Sequence, residues 1–150
     1  MQAVQSENEQ KKEYLKGYRG HVRRINRIET ELAELRAMRS SMSVNNDGMP
    51  HGSGQSDLSG YAAELDRLER SLIKERYERI RTYKDIAIRI KKLKSENEKD
   101  VLFYRYIAGL AWWEIAEKMS FSERQIFRIH GKALVHFRLP KDFKDVSECQ

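Results

Sequence analysis

The sequence predicts an all-α protein: a long N-terminal helical hairpin, coiled-coil-like, followed by a small C-terminal domain of short helices. Three observations carry this. Charged residues make up 35% of the 150 positions and hydrophobic ones 39%, a balance that suits solvated helices. Apolar residues recur at helical spacing through most of the first hundred positions. Aromatic residues are concentrated after residue 100, where Phe103, Tyr104, Tyr106, Trp112, Trp113, Phe121, Phe127 and Phe137 fall.

The first helix is expected from about Gln10 to Met42, with Ile25, Ile28, Leu32 and Leu35 forming one apolar stripe and Arg23, Arg24 and Arg27 beside it. Residues 43–57, SVNNDGMPHGSGQSD, hold Gly, Pro, Asn, Asp and Ser and read as a loop. The second helix is expected to be capped by Asp57 or Ser59. From Tyr61 to Lys99 there is neither Gly nor Pro, and Leu65, Leu68 and Leu72 begin a stripe that drifts through Ile73, Tyr77, Ile80 and Tyr83 to Ile86, Ile90 and Leu93. Two such helices around a 15-residue loop make an antiparallel hairpin. Its core is thin, so self-association through leftover apolar surface is expected, with a homodimer as the simplest product.

The polar run Ser95–Asp100 breaks the pattern, which divides the chain into 1–99, a hairpin for oligomerisation or partner binding, and 100–141, a compact domain, with 142–150 as a flexible tail. In the compact domain a first short helix ends at Gly109. The second, Trp112 to Met119, buries Trp112, Ile115, Ala116 and Met119. Ser120-Phe121 is a tight turn. Ser122 opens the third helix, with Ser122-x-x-Gln125 as a capping-box pattern, and Ile126, Ile129 or His130, Ala133, Leu134 and Phe137 facing inward. Short helix, turn and longer basic helix is the layout of a helix-turn-helix.

The net charge is +6, and the stretch 122–141 holds Arg124, Arg128, Lys132, Arg138 and Lys141 against Glu123 alone. A concentrated positive field fits a polyanion. The outward residues of the third helix are read as Glu123, Arg124, Gln125, Phe127 or Arg128, and Lys132. Arg offers a fork to guanine and Gln to adenine in the major groove, while Lys132, Arg138 and Lys141 suit phosphates. The expected DNA-binding set is Ser122, Glu123, Arg124, Gln125, Arg128, Lys132, Arg138 and Lys141.

The stretch Tyr104–Leu139 resembles region 4 of sigma-70-type factors, through Gly109, Leu110, Glu114, Ile115, Ala116, Glu117, Met119, Phe121 and Ser122. More narrowly, Trp112-x-Glu114-Ile115-Ala116 and the run Arg128 to Leu134 resemble small phage and prophage proteins, the ArpU/RinA-like late transcriptional regulators. That family has a long helical N-terminal half and a Met-Pro loop, matched here by Met49-Pro50. The chain departs from the pattern at three places: Ala111 stands where Ser or Thr caps the second helix, Ser120 replaces the turn glycine, and Trp113 fills a polar position. The resemblance implies a sequence-specific regulator acting on double-stranded DNA in the bacterial cytoplasm, with host RNA polymerase as a further partner. The alternatives are a small terminase subunit for DNA packaging and a sigma-like adaptor that binds RNA polymerase.

Other residues point to less. His130 reads as a packed or phosphate-facing histidine, since no ligand set surrounds it, and no metal or cofactor is expected. Gly131, inside a helix, suggests a close contact or a bend. The Arg23–Arg27 cluster reads as a solvated helix face. Tyr104 and Tyr106 read as core. No phosphate loop, paired carboxylates or nucleophile elbow can be assembled, so neither an enzyme nor a small-molecule substrate is expected. The N-terminus lacks the apolar segment of a secretory signal, no run is long enough for a membrane span, and the single Cys149 allows no internal disulfide, which together favour an intracellular protein.

Overall fold

The computed structural model describes residues 2–44 and 54–143. All regular structure there is helical, and no strand occurs among the described residues. Helix α1 is Gln2–Val44, α2 is Gly54–Lys91, α3 is Glu96–Leu102, α4 is Trp112–Met119 and α5 is Glu123–His136. A single π-helical turn, Phe103–Ile107, continues directly from α3. No helix among the described residues is long and apolar enough to cross a membrane.

Three expected boundaries move. Helix α1 starts at Gln2 rather than near Gln10, because nothing in its polar first turns breaks a helix that packs further along. Helix α2 begins at Gly54, ahead of Asp57 and Ser59, so positions 43, 44 and 54–57 of the expected loop are helical. Positions 45–53 of that loop, with Met49-Pro50, lie outside the described residues, as do 144–150 of the expected tail and Cys149. The polar run Ser95–Asp100, read as a break, instead opens α3. Ser95 Oγ accepts from the Glu98 amide at 3.4 Å, which is why a run without apolar periodicity starts a helix.

Contacts group the chain into two units, one of residues 1–20 with 80–150 and one of residues 21–79. The boundary expected between residues 99 and 100 falls inside α3. In the 21–79 unit, α1 and α2 run antiparallel. Ile25, Ile28, Leu32, Leu68 and Leu72 are buried together, with Leu35 and Leu65 packed against them. Ion pairs edge this seam: Arg36 with Glu69 at 3.2 Å, Glu29 with Arg76 at 3.0 Å, and Arg24 with Glu75 at 3.2 Å. His21 Nδ1 lies 2.8 Å from Glu75, and together with Arg24 it holds that carboxyl below its usual range.

The other unit packs the first turns of α1 and the last turns of α2 with the short helices. Val101, Ile115, Ala116 and Ile126 form a buried cluster, ringed by Tyr104, Leu110, Trp112, Met119, Phe121 and Ile129. The C-terminal end of α5 meets α1: Lys11, only 4% exposed, donates from Nζ to the carbonyl of Leu134 at 2.8 Å. Tyr14 packs against Phe137 and Phe143, with ring centroids at 6.0 and 5.4 Å.

Candidate nucleic-acid interface

The approach to α4 is shaped by a positive-φ glycine. The π-helical turn ends with the Ala108 amide donating to Phe103 O at 3.0 Å, and Leu110 N then donates to Tyr104 O at 3.0 Å. Gly109 makes the reversal at φ 72°, where a β-carbon would be disfavoured. Helix α4 lacks a side-chain acceptor at its start, because Ala111 precedes it. Glu114 supplies half of a cap by accepting from the Ala111 amide at 3.3 Å.

Helix α4 closes on Ser120, which takes a left-handed conformation at φ 56° and ψ 40°. The Phe121 amide then donates to Ala116 O at 3.0 Å, turning the chain and bringing Phe121 against the buried cluster. Ser122 starts α5 with a complete capping box. Its Oγ accepts from the Gln125 amide at 3.2 Å, and its own amide donates to Gln125 Oε1 at 2.8 Å.

The eight residues expected to meet DNA are all exposed: Ser122, Glu123, Arg124, Gln125, Arg128, Lys132, Arg138 and Lys141. The inward positions Ile126, His130, Ala133 and Leu134 are buried, and Ile129 is partly so. Arg124, Arg128 and Lys132 follow at steps of four, so they form one row along the outer face, rising about 6 Å per step. None of the three has an ion-pair partner among the described residues. Ser122 and Gln125 are occupied by the cap, so Gln125 could grip an adenine edge with both amide atoms only if the cap opened. Arg138 and Lys141 lie beyond the helix, in the segment where the Arg138 carbonyl accepts from Arg89 Nη1 at 3.3 Å.

Behind the row sits a buried aromatic group. His130, 8% exposed, is joined from Nε2 to the Tyr106 hydroxyl at 2.8 Å, and its ring meets the Trp112 ring edge-on at 4.7 Å. Burial, helped by the charges of Lys12 and Arg105, pushes the His130 pKa down to about 4. Burial pushes Tyr106 up to about 12. His130 is therefore a neutral packing residue at ordinary pH. Among the described residues no group of His, Cys, Asp and Glu could hold a metal ion. Gly131 makes no close contact that a side chain would block, since a β-carbon built there meets nothing within 4 Å.

Two features escaped sequence reasoning. Lys11 lies far from α5 in sequence yet binds its last carbonyls, and nothing local signals this. Periodicity alone does not choose between Phe127 and Arg128 as the outward residue. Both are exposed, Phe127 with its ring against Trp112 at 5.1 Å. Comparison of the chain with protein-family models, with curated proteins and with solved structures finds no match in any of the three.

Proposed function

We propose that this chain is a sequence-specific binding protein for double-stranded DNA, a transcription regulator of the phage and prophage type, that reads the major groove with α5. The observation that carries the reading is the row Arg124, Arg128 and Lys132 on the exposed face of a capped helix that follows a left-handed turn. Like charges at steps of four repel by a few tenths of a kcal/mol each. An acidic partner from outside the chain removes that repulsion, and the phosphates of DNA are such a partner. The short α4, the turn and α5 around one core supply the layout of a helix-turn-helix. The likeness of residues 104–139 to sigma-70 region 4 and to ArpU/RinA-like regulators supports the same reading.

Enrichment of duplexes from a random pool by the full-length protein tests it, followed by binding measurements on the enriched sequence. Arg128→Ala is expected to weaken the specific site by about 1–3 kcal/mol and to relax its sequence preference. Lys132→Ala is expected to weaken specific and random duplexes alike and to lower the salt slope by about one. A folded Arg128→Ala protein that binds the preferred duplex normally would remove α5 as the reading helix. The second reading, a sigma-like adaptor whose α4 and α5 meet protein, is favoured by the exposure of Trp113 and Val135. It predicts that no duplex is enriched.

A further inference from the structure

Phe127 is out of place on a merely solvated helix. Its ring stays 49% exposed, although a phenyl group gains by leaving water. It is also held in place on its other side. The ring leans on Trp112 at 5.1 Å with an interplanar angle of 55°. Trp112 in turn lies under the Arg105 guanidinium at 4.4 Å and against His130 at 4.7 Å. Arg105 is anchored by donating to Leu110 O at 3.0 Å. One side of the Phe127 ring is thus already packed before any ligand arrives, which lowers the rotamer freedom lost on binding.

On α5, Phe127 follows Arg124 by three positions and precedes Arg128 by one, and both arginines are exposed. The surface there combines an apolar plane with two guanidinium groups. Guanidiniums suit guanine edges and phosphates. The apolar group that a base pair presents in the major groove is the thymine 5-methyl, and a phenyl ring is one of the side chains that meets it.

We propose that Phe127 is a specificity-determining residue, packing against the 5-methyl of a thymine beside the bases contacted by Arg124 and Arg128. This rests on the DNA-reading conclusion above. It adds a preference for thymine that none of the charged residues supplies, and it gives the Trp112–Arg105 group a role in aiming the ring.

The test uses the full-length protein and the duplex enriched from a random pool, with each thymine replaced in turn by uracil, which removes only the methyl group. The wild-type protein is expected to bind roughly fourfold more weakly when one particular thymine is replaced, the size of one buried methyl. Phe127→Ala is expected to bind the thymine and uracil duplexes equally with an unchanged salt slope, and Phe127→Leu to keep part of the discrimination. Wild-type binding indifferent to every replacement overturns the proposal, and that measurement needs no variant to fold. A folded Phe127→Ala protein that keeps the wild-type thymine preference overturns it too, as does loss of self-association in that variant, which would assign the ring to a second copy of the chain. A pool that yields no enriched duplex removes the DNA reading itself, whereas enrichment with methyl-insensitive binding removes only the role of Phe127.

Discussion

Three backbone positions flank or sit within the candidate interface, and they are expected to respond differently to substitution. Ser120 adopts a left-handed conformation with a β-carbon, a strain on the order of 1 kcal/mol. Ser120→Gly is expected to stabilise the fold by up to about that amount, read as a higher midpoint in thermal melts. Gly131 is helical with open space where a β-carbon would stand, so Gly131→Ala is expected to add about 1 kcal/mol. Gly109 combines φ 72° with an Arg19 guanidinium only 2.7 Å from an added β-carbon. Gly109→Ala is therefore expected to destabilise by about 1 kcal/mol or more. Equal responses at 109 and 131 would contradict the geometry. His130 gives a pH prediction. Its folded pKa, about 4, lies below the ordinary 6.5, so the unfolded chain binds the proton more readily. The stability it confers is complete above pH 6.5 and is lost as pH falls from there towards 4, by something on the order of 3 kcal/mol at most. Urea unfolding of the wild type and of His130→Phe at pH 7.5 and 5 checks this: the variant is expected to lose much of the difference between the two.

At the scale of elements, α5 is held from both ends by different means. Its start is self-sufficient, since Ser122 and Gln125 satisfy each other's amides. Its end depends on α1. Lys11 Nζ binds the carbonyls of Leu134 at 2.8 Å and Val135 at 3.4 Å, placing a buried cation at the negative end of the helix dipole, with Glu7 at 3.4 Å. His136 Nδ1 lies 3.0 Å from both carboxylate oxygens of the buried Glu98, tying the same end to α3. Lys11→Met keeps the stem and removes the charge, leaving a buried carbonyl without its donor. A loss of about 1–3 kcal/mol is expected, with faster amide exchange confined to the last turn of α5. Uniform acceleration across α4 and α5 would mean that Lys11 supports the whole unit instead.

At the scale of the molecule, the 21–79 unit has a narrow core between two helices, centred among the described residues on Ile25, Ile28, Leu32, Leu68 and Leu72. Ile73 and Tyr77 of α2 are each 67% exposed, and Ile73 also borders a groove of about 400 Å³ that reaches Leu32 and Leu72. A two-helix seam with apolar surface left outside gains by pairing with a second copy. The full-length protein is expected to sediment as a dimer at micromolar concentration, and the double substitution Ile73→Glu with Tyr77→Glu to sediment as a folded monomer. A wild-type monomer at that concentration would leave the stripe without this role.

Local chemistry determined much of this protein. The stripe Ile25, Ile28, Leu32 and Leu35 announces a helix, because the period of apolar residues is a property of the chain itself. The outward placement of Arg124 and Lys132 follows for the same reason, while periodicity leaves Phe127 and Arg128 as alternatives, and the Ser122–Gln125 cap is local because its partners stand three positions apart. Tertiary structure decided what depends on residues distant in sequence. The polar Ser95–Asp100 run became the start of α3, since a cap can open a helix that packing further along makes worthwhile. The first twenty residues joined the C-terminal helices because Lys11 and Tyr14 find their partners at 134–143, a pairing that no periodicity encodes. His130 became a neutral core residue only through Tyr106 and Trp112, since burial, not sequence neighbours, sets whether an imidazole keeps its charge.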